Sequence, residues 1–157
     1  MAVEEGKSIR LENVLSLRKK MAQTEINTEM MKIGRFLNDN GLRKSGPIIT
    51  ATFAVDTADG QPLVDMEILV PIDRAIEPFG GYGFKKVFHL VNAVYAKHMG
   101  NPALLQKTYN EILEHIRDNN LQQITAGYNV NVKDPQPGQS LDEMVVDVYI
   151  GVNPNIL

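Results

Sequence analysis

No cysteine and no tryptophan occur in the 157 residues. The first absence excludes disulfides, thiolate nucleophiles and cysteine-ligated zinc. The second leaves all flat aromatic surface to five Tyr and five Phe. No apolar run approaches the length that crosses a bilayer. The opening, Met1 to Arg10, is acidic and mixed, where a signal peptide starts basic and then turns apolar. A cytoplasmic location is therefore expected. A basic surface is missing too: 16 Lys and Arg stand against 19 Asp and Glu, for a net charge of −3. No nucleic-acid partner and no membrane partner are expected on that balance. What is present is 43% hydrophobic and 22% charged, ordinary for one compact domain that buries roughly two thirds of its unfolded surface.

The apolar pattern recurs along the chain. Ile26, Met30, Ile33 and Leu37 form a helical stripe, followed by the stop Asn40-Gly41 and then Leu42. A shift of 79 residues gives Leu105, Tyr109, Ile112 and Ile116, then Asn119-Asn120, then Leu121. Asn101-Pro102 stands ahead of the second stripe, where a cap and a first-turn Pro belong. Strands recur as well. Ile49, Ala51 and Phe53 match Tyr128, Val130 and Val132; Val64, Met66, Ile68, Val70 and Ile72 match Met144, Val146, Val148, Ile150 and Val152. Alternation of this kind predicts strands with one buried face. First strands are expected at 13–18 and 84–91, and 92–100 reads as an extra helix ending at Gly100. Asp59-Gly60 and Asp134-Pro135-Gln136-Pro137-Gly138 read as hairpin turns. The expectation is an α+β fold: a tandem strand-helix-strand-strand module with antiparallel sheets and helices on one face. One domain would hold two pseudo-symmetric halves, about 9–72 and 82–153, linked through Glu77-Pro78-Phe79-Gly80-Gly81, with a cleft at their seam.

This order, given twice, resembles the gyrase-inhibitor-like effector-binding domain. The likeness is carried by Gly46-Pro47, Met66-Glu67-Ile68-Leu69-Val70-Pro71-Ile72, Pro78-Phe79-Gly80-Gly81-Tyr82, His89, Asn120-Leu121 and Asp134-Pro135, and spans nearly the whole chain. It implies a pocket for flat, apolar, often cationic compounds, with aromatic walls and a buried carboxylate. Counting back from Asp134-Pro135 places that carboxylate at Asn129 and the family's Tyr at Asn131. Both family residues are absent, which counts against the hydrolase activity of some relatives and against cation sensing. The acidic start and the strand from Ile9 to Val14 are also similar to uncharacterised proteins encoded near LXG toxins of Gram-positive bacteria, which would imply an accessory role.

Glu67 and Asp147 hold matching places on the closing strands, with Leu69 and Tyr149 on the same face. A carboxylate beside aromatics suits a cation. Tyr82 and Phe79, in the Gly-rich linker, are candidates for a pocket rim, whereas Tyr109 and Tyr128 are assigned to the core. Gly80-Gly81-Tyr82-Gly83 leads into a strand and so lacks the helix N-terminus a phosphate loop needs. Gly6-Lys7-Ser8 lacks the upstream glycine of a nucleotide loop. His89, His98 and His115 make no metal-spaced pair, and no Ser has a nucleophile's setting. Arg18-Lys19-Lys20 and Lys85-Lys86 are basic strand ends that could meet an acidic partner. The reading is a non-enzymatic domain, without metal or cofactor, that binds an apolar or cationic small molecule through Glu67, Asp147, Tyr149, Tyr82, Phe79 and Leu69. The alternative is a protein-interaction module, such as a toxin-operon partner or immunity-like protein.

Overall fold

A computed structural model describes residues 2–57, 60–133 and 140–157. In chain order the elements are β1 (Val3–Ala22), α1 (Ile26–Asp39), β2 (Ile49–Asp56), β3 (Leu63–Pro71), β4 (Gly83–Met99), α2 (Leu105–Asp118), β5 (Gln123–Lys133) and β6 (Val145–Val152). Short 3-10 turns precede α1, α2 and β6. Every named strand pair within the two units below is antiparallel. The chain is α+β, as expected. Asp59 and residues 134–138 of the expected turns lie outside the described residues. No described helix is long and apolar enough to cross a membrane.

The chain divides into two compact units. The first is Leu11–Phe88. Here β3 lies between β1 and β2, with Leu15 opposite Val70, Leu17 opposite Ile68, and Thr50 opposite Ile68. Leu15, Ile68, Val70 and Ile72 pack with Ile33, Leu37 and Leu42, so the α1 stripe meets the sheet as its spacing predicts. Burying one such side chain contributes about 1.5–3 kcal/mol. The helix stops where expected. Leu42 N–H donates to Leu37 O at 2.8 Å across Gly41, whose φ of 64° is the left-handed geometry glycine accepts. The alternating pattern understates β3. Ile68 and Leu69 are both 0% exposed, so this stretch is buried on both faces.

The second unit is Met1–Arg10 with His89–Leu157. In it β6 lies between β4 and β5. Val94, Ala96, Val146, Val148, Ile150 and Val152 pack with Ile112 and Ile116 of α2. Asn101 caps the turn before α2, its Oδ1 accepting from Ala103 N–H at 2.9 Å, with Pro102 just inside. Leu121 N–H closes the other end on Ile116 O at 2.9 Å, past Asn120 at φ 55°.

Two expectations are corrected. Residues 92–99 are strand, not helix: β4 continues to Met99 and pairs with β6 from Ala93↔Gly151 to Met99↔Val145. Val94, Ala96 and His98 are buried, whereas Lys97 and Met99 are exposed, a period of two that no helix shows. Tyr128 does not face the helix core. It stands opposite Tyr149, and Val130 opposite Asp147, so both share the face away from α2. Asn129, opposite Val148, takes the helix side instead.

Candidate functional site

In the second unit the cross-strand register builds the site. Tyr95 stands opposite Tyr149, and Lys97 opposite Asp147. The two tyrosine rings tilt together with centroids 5.0 Å apart. Tyr95 Oη donates to Asp147 Oδ1 at 2.9 Å, and Lys97 Nζ lies 3.3 Å from the same oxygen. The Asp147 side chain is 18% exposed and the Lys97 side chain 46%. A shallow recess of about 370 Å³ opens beside them, lined by Ala2, Glu4, Tyr95, Lys97 and Met99. Burial, then the bond to Asp147, pushes the Tyr95 hydroxyl far above the usual tyrosine range; burial, then the charges of Asp147 and Glu4, raises Tyr149. Both hydroxyls therefore stay protonated at neutral pH, and Tyr95 is held as a donor. Ring faces beside two carboxylates complement a positive charge.

In the first unit Glu67 stands opposite Arg18 on β1 and Ala51 on β2. Its carboxylate lies 3.6 Å from Lys85 Nζ. Arg18 makes a two-point contact with Asp65, at 3.3 and 3.2 Å, and lies 3.9 Å over the Phe53 ring. That guanidinium holds the Asp65 carboxyl below its ordinary range. Leu69 shares the Glu67 face but is wholly buried. Phe79 and Tyr82 come together through Phe36 of α1, with ring centroids 4.9 and 4.7 Å from it. Phe79 stays 47% exposed, and Tyr82 is half-buried. The structure thus joins Phe79 to Tyr82 in one unit, and Asp147 to Tyr149 in the other.

Sequence reasoning missed Tyr95, Lys97 and Glu4. The signal for the first two was the alternation from Val94 to Met99, hidden by the helical reading of that stretch. Asn129, the position carried over for the family carboxylate, lies opposite Val148. Asn129 Oδ1 accepts the Tyr109 hydroxyl at 2.5 Å on the α2 side, so its lack of charge does not bear on the opposite face. His98 is buried, with Nδ1 2.8 Å from Thr108 Oγ1 and Nε2 3.0 Å from Asn101 O. His115 meets Glu5 at 2.8 Å, and His89 is exposed. Among the described residues no three His, Asp or Glu gather as a metal site.

No protein-family model matches the sequence, and no curated protein does. Solved structures do. The C-terminal domain of EcmrR is 17% identical with a TM-score of 0.76, covering 97% of this chain and 96% of that one. EcmrR in its DNA complex matches at 17% and 0.75, covering 97% of this chain and 56% of that one, so this chain spans little more than half of its length. An uncharacterised conserved protein from Listeria innocua is 13% identical at 0.66, covering 95% of this chain and 93% of its own. SAV2435 bound to tetraphenylphosphonium is 9% identical at 0.56, covering 98% and 93%. Two further Listeria innocua neighbours are described as hydrolases. The shared property is the fold. The expectation of no nucleic-acid partner gains no support, since EcmrR is seen with DNA.

Proposed function

We propose that the chain is a non-enzymatic small-molecule-binding domain whose ligand is apolar or cationic, with Asp147, Tyr149 and Tyr95 as its main contacts. The observation that carries this is the Asp147 carboxylate fixed by Tyr95 Oη beside two tilted tyrosine rings. The fold shared with SAV2435, a structure holding tetraphenylphosphonium, supports the same ligand class. The two units read as copies of one module, because Arg18↔Glu67 and Lys97↔Asp147 repeat one register. On that reading Glu67 is a second anionic contact and Tyr82 with Phe79 a second aromatic surface, while Leu69 is wholly buried on the Glu67 face. The hydroxyl–imidazole contact of Thr108 with His98 is a structural one.

Tetraphenylphosphonium titrated into the purified chain should raise its melting temperature, because a ligand that binds only the folded form stabilises it. Asp147→Asn should reduce that rise and weaken affinity about tenfold, the loss of roughly 1.4 kcal/mol. Tyr149→Leu should weaken it in the same direction. Unchanged affinity in both variants, or no binding to the natural chain, removes the proposal.

A further inference from the structure

We propose that Lys97 is a tethered stand-in for the cationic ligand, and that its competition for Asp147 decides which cations the recess admits. This rests on the ligand reading above. Two donors share Asp147 Oδ1, but they are held differently. Tyr95 reaches it at 2.9 Å with its ring braced against Tyr149, whereas Lys97 reaches it at 3.3 Å on a flexible stem whose side chain is 46% exposed. Lysine is a compact, strongly hydrated point charge that can swing into water with little loss. An ion pair whose lysine end stands nearly half in water is weakly held at that end, so the ammonium is displaceable.

Displaceable does not mean irrelevant. Lys97 is part of the chain and needs no diffusion to return; a short tether gives an effective concentration of about millimolar. A small ammonium offers Asp147 the same charge and donors that Lys97 already offers, and gains nothing over it. A cation with aromatic bulk gains the face of Tyr95, which the Tyr149 ring braces from beside it, and the apolar rim at Met99, which is 70% exposed. Lys97 therefore excludes small hydrated cations and admits bulky apolar ones. The first unit shows a comparable arrangement, with Lys85 Nζ 3.6 Å from Glu67.

The test titrates the full chain, Lys97→Met and Asp147→Asn with phenyltrimethylammonium and with its neutral isostere tert-butylbenzene, by calorimetry or fluorescence. Lys97→Gln serves as the second variant should the methionine form fold poorly. Removing the lysine should tighten phenyltrimethylammonium about fivefold or more, leave tert-butylbenzene within about twofold, and let methylammonium bind where the natural chain does not. Equal or weaker cation binding in both lysine variants, alongside a loss in Asp147→Asn, overturns the role of Lys97 and leaves the ligand reading standing. A gain shared equally by tert-butylbenzene overturns it too, because that gain would be apolar. No cation binding by any form overturns both.

Discussion

Glu29 on α1 is 7% exposed, a charge the fold takes out of water and then satisfies. Lys19 Nζ lies 2.7 Å from its Oε1 and Lys32 Nζ 3.6 Å. The bond from Lys19 holds the Glu29 carboxyl below its ordinary range against the opposing push of burial, and the same bond raises Lys19. A lowered carboxylate stabilises the fold above its unfolded pKa of about 4.3 and loses that contribution as pH falls through the lowered value. The raised Lys19 works in the other direction, keeping its contribution until pH climbs through the lysine range. Glu29→Gln should therefore melt below the natural chain at pH 7, and the gap should close as the solution is acidified toward pH 3. A gap that stays constant over that range would show that Glu29 is held by packing and not by charge. None of this was legible in the sequence, where Glu29 is one acid among 19 and nothing marks it as paired. Asp147 and Tyr149 were legible, because they sit off an unbroken apolar alternation. Tyr95 and Lys97 were not, since their strand membership depends on pairing with β6, more than forty residues on.

At the level of elements, α1 and α2 were legible almost to their ends. A 3.6-residue stripe and an Asn-Gly or Asn-Asn stop are local signals, and local hydrogen bonds enforce them. The strands were legible as strands, but their lengths and faces were not. β1 was read at 13–18 and runs Val3–Ala22, passing through left-handed Gly6 and Asn13, which break the alternation a reader looks for. The face of β5 was misassigned because Tyr128 looks like a core residue, whereas the space under α2 is taken by another ring. Tyr109 of α2 lies directly on Gly127, where an added Cβ would overlap its ring and hydroxyl. Burial pushes that hydroxyl up to about 12, so it stays a donor to Asn129 at any ordinary pH. Gly127→Ala should cost about 1–3 kcal/mol, because the displaced ring has to move against a packed helix. Chemical denaturation measures this directly. A midpoint equal to the natural chain's would mean that α2 does not rest on β5 as described.

Over the whole molecule, charge is unevenly divided. Residues 11–88 carry ten basic and ten acidic side chains, and the remainder carries six and nine. The full −3 thus belongs to the sequence of the second unit, which also holds Glu4 and Asp147. A field of that sign attracts cations and is screened within about 10 Å at 0.1 M salt. Affinity for tetraphenylphosphonium should fall as sodium chloride rises from 20 to 500 mM, while tert-butylbenzene binding should hold or strengthen. An affinity for the cation that ignores salt would place its contacts away from the acidic side chains. The α+β class was legible at this scale because helix and strand periods alternate cleanly along the chain. The division into units also has a temporal meaning. Leu11–Phe88 is one unbroken stretch, whereas the second unit joins Met1–Arg10 to everything from His89 onward. During synthesis Leu11–Phe88 can complete its core while still attached to the ribosome, but Met1–Arg10 must wait for companions not yet translated. Order of synthesis therefore differs from order of settling: Met1–Arg10 is made before Leu11–Phe88 yet finds its companions after it.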